Sequence, residues 1–115
     1  MFTDCFNNPV GVASPSIIPD NQMRASSEQT SEFSAAYGRL NGTRGDGWCS
    51  RNALSDDEWL QVDIGEAIQA CGLATQGDRE WNPEWVTAFT LSYSLDGKNW
   101  EIYSEDSGEA MVSFS

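Results

Sequence analysis

The chain contains no histidine, has only six Lys and Arg residues in 115, and carries no basic run. Without an imidazole, the commonest general base and metal ligand is missing, so a thiol or hydroxyl nucleophile would lack its usual activator. The 18 Asp and Glu residues bring the net charge to −12, a field that opposes nucleic acid and anionic membranes, both of which depend on clustered cations. No nucleic-acid partner is therefore expected. No apolar run approaches the length that spans a bilayer. The segment Met1-Phe2-Thr3-Asp4-Cys5 lacks the basic and apolar regions of a signal peptide, so the expectation for a secreted parent protein is a targeting segment that lies outside this sequence or is replaced by an initiator Met. Cys5, Cys49 and Cys71 include no close pair, which excludes a Cys-x-x-Cys redox motif and a zinc site.

What the chain does have is aromatic side chains, 11% of its residues with five Trp among them, enough to build a core despite the acidic balance. At this length one domain is expected, covering residues 1–115 and burying about two-thirds of its unfolded surface. In Trp59-Leu60-Gln61-Val62-Asp63-Ile64-Gly65, the apolar Leu60, Val62 and Ile64 alternate with Trp59, Gln61 and Asp63, the period of a strand with one face on a core. Residues 70–77 are small and weakly polar and read as a neighbouring strand. Phe89, Leu91 and Tyr93 alternate with Ala88, Thr90 and Ser92, and Asp96-Gly97 supplies the turn into Trp100-Glu101-Ile102-Tyr103, a β-hairpin. Residues 22–25 suit a short strand, and Pro9, Pro15, Pro19 and Gly11 make residues 5–19 an extended lead-in. With no internal repeat and no helical periodicity, the fold class is all-β, a sandwich or barrel. Trp48, Trp59, Trp85 and Trp100 are assigned to the core.

Ile18-Pro19-Asp20, Ala25-Ser26-Ser27, Arg39-Leu40-Asn41, Gly47-Trp48-Cys49, Trp59-Leu60-Gln61-Val62-Asp63, Ala74-Thr75-Gln76-Gly77, Trp85-Val86-Thr87 and Tyr93-Ser94-Leu95-Asp96-Gly97 follow one another in an order that resembles the discoidin family, the coagulation factor V/VIII C-terminal-type domain. The resemblance covers roughly residues 5–103. It implies a jelly-roll-like β-sandwich and a non-catalytic, extracellular recognition or adhesion module that grips a cell-surface glycan or glycoprotein through three loops at one end. Those loops are residues 26–37, 50–58 and 77–84, and the ligand-binding candidates in them are Phe33, Tyr37, Arg51, Arg79 and Trp81. Trp81 lies among Arg79, Glu80, Asn82 and Pro83, where an indole can stack on a sugar face or fold back on Trp85. Similar domains continue past residues 111–115 with further strands, so a C-terminally truncated domain is expected, its sheet either completed by another chain or left with an exposed, self-associating edge.

The resemblance also implies a Cys49–Cys71 disulfide, worth about 3.4 kcal/mol by loop closure, with buried thiols as the alternative and Cys5 left without its family partner. A bridge would fit an oxidising, extracellular setting. Some relatives hold a structural calcium near residues 41–46, but only Asp46 is a charged ligand there, so no metal or other cofactor is assigned. Arg44-Gly45-Asp46 is the tripeptide that integrins recognise, in a segment where Gly and Asp also suit a plain turn. Asn41-Gly42-Thr43 is a glycosylation sequon, which would operate in a secretory pathway. The paired carboxylates Asp56/Asp57 and Glu80/Glu84 are read as solvated loop acids rather than a glycosidase pair. Two rivals to the glycan reading remain: a module for anionic phospholipid, with Phe33 and Trp81 as apolar spikes, and integrin-type adhesion through Arg44, Gly45 and Asp46.

Overall fold

The computed structural model describes residues 8–42, 47–52, 54–77, 86–104 and 112–114. Among them it contains six short strands, three 3₁₀ turns and no α-helix, in keeping with an all-β class. The chain divides into two compact units, Met1–Glu66 and Ala67–Ser115.

In the first unit, Pro19 in extended conformation leads into a 3₁₀ turn, Asp20–Gln22, and then into β1, Met23–Ala25. β1 pairs antiparallel with β2, Leu60–Val62, in the register Met23 to Val62, Arg24 to Gln61 and Ala25 to Leu60. The ladder is extended at both ends: Asp63 N donates to Gln22 O (2.8 Å) and Ser26 N to Trp59 O (2.9 Å). Period two sets the faces. Met23 is buried while Arg24 is exposed, and Val62 packs against the same core as Met23.

That core is Ile18, Met23 and Ala35, with Val12, Ala25, Trp48 and Val62 packed around it. Ala35 comes from the 3₁₀ turn Ala35–Gly38, preceded by a second such turn, Ser31–Phe33. The lead-in is fastened to it by Arg39, whose Nη1 donates to Val12 O and Nη2 to Asp20 Oδ1, both at 2.7 Å. This guanidinium is buried, and its Nε has no hydrogen-bond partner. Gly11 stands at φ +103° against Ile17, where a Cβ would collide with that side chain. Both the backbone angle and the close approach therefore require glycine.

In the second unit, β3, Leu73–Thr75, pairs in parallel with β6, Val112–Phe114, in the register Leu73 to Val112. β4, Ser92–Tyr93, and β5, Glu101–Ile102, form the expected antiparallel hairpin. Its turn is built on one carboxylate: Asp96 Oδ1 accepts from the amides of Lys98 (2.8 Å) and Asn99 (2.9 Å), and Oδ2 from Asn99 Nδ2 (2.8 Å). Gly97 supplies the left-handed angle, φ +74°. These bonds, led by the Asn99 amide, hold the Asp96 carboxyl far below the usual range.

Three expectations need correction. β2 and β3 are not neighbours: β2 pairs with β1, and β3 with β6. Trp59 and Trp100 are not core residues, being 46% and 45% exposed. Strand alternation gives the reason for Trp59, which lies on the same side of β2 as Gln61, away from Leu60 and Val62. Trp48 does pack against the core, whereas Trp85 lies outside the described residues. The third correction is the Cys49–Cys71 bridge. Cys49 keeps its thiol, which donates to Ser50 O at 3.5 Å, and its backbone is held by Gln29 and Phe33; Cys71 is disulfide-bonded, but not to Cys49. Cys5 lies outside the described residues.

Candidate functional site

The segments 26–37 and 50–58 meet the β1–β2 ladder at the same end, one leaving β1 after Ala25 and the other entering β2 before Leu60, its partner in the register, and would be separate loops beyond it if only solvent met their polar side chains. Two adjacent serines at the exit of β1 join them. Ser26 Oγ donates to Glu58 Oε2 and accepts from Trp59 N (2.8 Å). Ser27 Oγ donates to the same carboxylate oxygen (2.7 Å) and accepts from Arg51 N (2.9 Å). Two further bonds add to this, the Trp48 indole Nε1 donating to Ser27 O (2.9 Å) and the Gln29 amide N to Cys49 O (2.8 Å). As a set these bonds fix one loop on the other.

Glu58 is central to this join. Hydrogen bonds from Ser26 and then Ser27 stabilise its charged form and hold its carboxyl below the usual glutamate range. Glu28 serves the first loop in a similar way, its Oε2 accepting from Ala35 N at 2.6 Å. Thr30 caps the 3₁₀ turn Ser31–Phe33, its Oγ1 accepting from Glu32 N at 3.2 Å.

Between the joined loops lies an open groove lined by Arg24, Ala25, Ser27, Glu28, Gln29, Thr30, Ser31 and Arg51. Among the described residues the lining apart from Ala25 is polar, with guanidinium, hydroxyl, amide and carboxylate groups. Of the residues expected to bind ligand, Arg51 is exposed on this groove, while Phe33 and Tyr37 are half-buried. Arg79 and Trp81 lie outside the described residues, as do Arg44, Gly45 and Asp46. Asn41 is exposed in a left-handed conformation, φ 56°, which Asn tolerates through local hydrogen bonding. Among the described residues no group of three or more His, Cys, Asp or Glu side chains is placed to hold a metal.

Arg24, Ser27, Gln29, Ser31 and Glu58 were not singled out from the sequence. For Arg24 a signal existed: in Met23-Arg24-Ala25, alternation alone puts the arginine on the face away from the core. The two serines and Glu58 gave no such signal, because a loop serine facing a partner and one facing water look alike in sequence.

Residues 22–113 match the family model of the F5/8 type C domain. Mouse (Mus musculus) lactadherin is 35% identical over 107 residues, an alignment spanning 86% of this chain and 23% of that protein. Neuropilin-2 from the rat (Rattus norvegicus) is 38% identical over 109 residues, spanning 87% of this chain and 12% of that protein. The chain belongs to the F5/8 type C, or discoidin, domain family. It matches only a part of each relative's length, less than a quarter in both cases.

Proposed function

We propose that the chain is a non-catalytic, extracellular recognition and adhesion module that binds a glycan or glycoprotein on the cell surface through loops at one end of a jelly-roll-like sandwich. The observation that carries this reading is the groove held between residues 26–37 and 50–58. Its hydroxyl, amide and guanidinium lining offers paired donors and acceptors suited to sugar hydroxyls, and the hydrogen bonds through Ser26, Ser27 and Glu58 fix the loops before a ligand arrives. Preorganisation lowers the ordering cost of binding. Phe33, Tyr37 and Arg51 belong to this site in our reading; Arg79 and Trp81 are further ligand-binding candidates, Trp81 as an indole that stacks on a sugar face.

A glycan array probed with the folded chain tests the proposal. Binding to a restricted set of glycans, lost in Trp81→Ala or Arg51→Ala with an unchanged melting temperature, is the expected result. Flotation with phosphatidylserine vesicles and no glycan signal would replace this reading by the phospholipid one. Cell adhesion abolished by Asp46→Glu would favour the integrin-type reading.

A further inference from the structure

The groove also carries charge of a kind scarce elsewhere on this chain. Arg24 and Arg51 both line it and both are exposed. Neither enters an ion pair among the described residues, whereas Arg39, the third described arginine, is buried against Asp20. In a chain with 18 acidic residues against six basic ones, two exposed guanidinium groups beside one described carboxylate, Glu28, give the groove lining a positive balance against the overall charge, even with Arg51 also acting electrostatically on Glu58. Two nearby carboxylates are already engaged: Glu28 Oε2 accepts from the Ala35 amide, and Glu58 Oε2 from Ser26 and Ser27. A guanidinium is a planar donor fork matched to an oxyanion, and charge-assisted bonds of this kind are about twice as strong as neutral ones.

The overall charge decides what sort of anion fits. Screening at physiological salt cuts off interactions beyond about 8 Å, so the two arginines act only on a group that has entered the groove. An anionic membrane would set an extended negative surface against a chain of net charge −12, and among the described residues the groove's only apolar lining residue is Ala25, too small to anchor in lipid. A single carboxylate on a sugar escapes both penalties. We propose that the groove binds a carboxylate-bearing sugar of a glycan chain, Arg24 and Arg51 holding the acid group while Gln29, Thr30 and Ser31 hydrogen-bond its hydroxyls.

This inference rests on the glycan reading, and its test separates the two. Sialyllactose and lactose, which differ by the carboxylated sugar, are titrated calorimetrically against the chain at physiological salt. The expected result is at least about tenfold tighter binding of sialyllactose, with that preference reduced about tenfold or more in Arg24→Gln and in Arg51→Gln. Arg24→Lys and Arg51→Lys, which keep the charge, retain part of the preference, and raising the salt erodes it. Thermal unfolding identifies folded variants; if either glutamine variant fails to fold, loss of the preference with salt and its partial retention in the lysine variants decide the matter. Equal affinity for the two sugars would overturn the acid-sugar inference and leave the glycan reading standing. Binding to neither sugar, with a blank glycan array, would overturn both. Vesicle binding that needs Arg24 and Arg51 would overturn the choice of a sugar as the ligand.

Discussion

The two compact units are held together by different means. In the first, residues from four separate places in the chain bury side chains on one another: Ile18 is 1% exposed, Met23 5% and Ala35 4%, and Arg39 ties the lead-in segment to the same region. In the second, the described apolar side chains of the hairpin are open to solvent, Tyr93 at 54%, Leu95 at 90% and Ile102 at 70%. There the order comes from backbone pairing and from a turn whose hydrogen bonds span only a few residues, Ser94 to Asn99. Burial couples distant positions, so damage at one site spreads through the unit. Short-range bonds do not, and damage stays local.

The largest expected contrast follows from that difference. Ile18→Ala removes a fully buried side chain and should cost about 2–5 kcal/mol in urea unfolding, whereas Ile102→Ala, at 70% exposure, should stay within about 0.5 kcal/mol. Similar losses at both positions would mean that the hairpin is as tightly packed as the first unit. Next is Arg39→Met, which keeps the length but removes the bonds to Val12 O and Asp20 and should cost about 2–3 kcal/mol. Asp20→Asn should cost less than Arg39→Met, because that carboxylate is 46% exposed and water replaces the lost partner. If the two variants are equal, the ion pair rather than the link to Val12 holds the lead-in.

On the other side of the contrast, Asp96→Ala should leave urea unfolding of the first unit unchanged while speeding amide exchange at Lys98 and Asn99, which lose their acceptor. Global destabilisation would show that the turn is coupled beyond its own hairpin. Glu58 gives the corresponding test for the joined loops. Its folded pKa is lowered, so its contribution is fully present above the unfolded glutamate value near 4.5 and is lost as the pH falls through the folded value. Acid titration followed by exchange at the Arg51 and Trp59 amides should show the loops separating only below that range. In Glu58→Gln the acid-dependent step should disappear.

How much of this was legible beforehand depended on the range of the signal. The period-two runs located β2 and the β4–β5 hairpin, and Asp96-Gly97 marked its turn, because these signals lie within a few residues. Pairing partners were not legible. β1 is only Met23-Arg24-Ala25, too short to announce itself as the partner of β2, and β6 lies 37 residues beyond Thr75 at its nearest, so β2 and β3 looked like neighbours. For the site, the ordered motifs pointed to loops 26–37 and 50–58, but not to the serine-carboxylate bonds that join them. Aromatic residues were the weakest guide: Trp48 and Trp59 look equivalent in sequence, yet one packs against the core and the other is nearly half exposed.

The smallest expected effect concerns Cys49. Were it bridged to Cys71, removing it would open a loop of about 22 residues and cost about 3.4 kcal/mol by chain entropy. In the structure its Sγ donates to Ser50 O at 3.5 Å, and a serine hydroxyl at that position can make the same bond. The Gln29 and Phe33 contacts are backbone ones and do not depend on the side chain. Cys49→Ser should therefore shift stability by less than about 1 kcal/mol, the remaining cost being that of a half-buried polar group. Alkylation of the oxidised, folded chain followed by peptide mapping should place the label on Cys49 and not on Cys71. A loss of several kcal/mol in Cys49→Ser, together with an unlabelled Cys49, would restore the bridge.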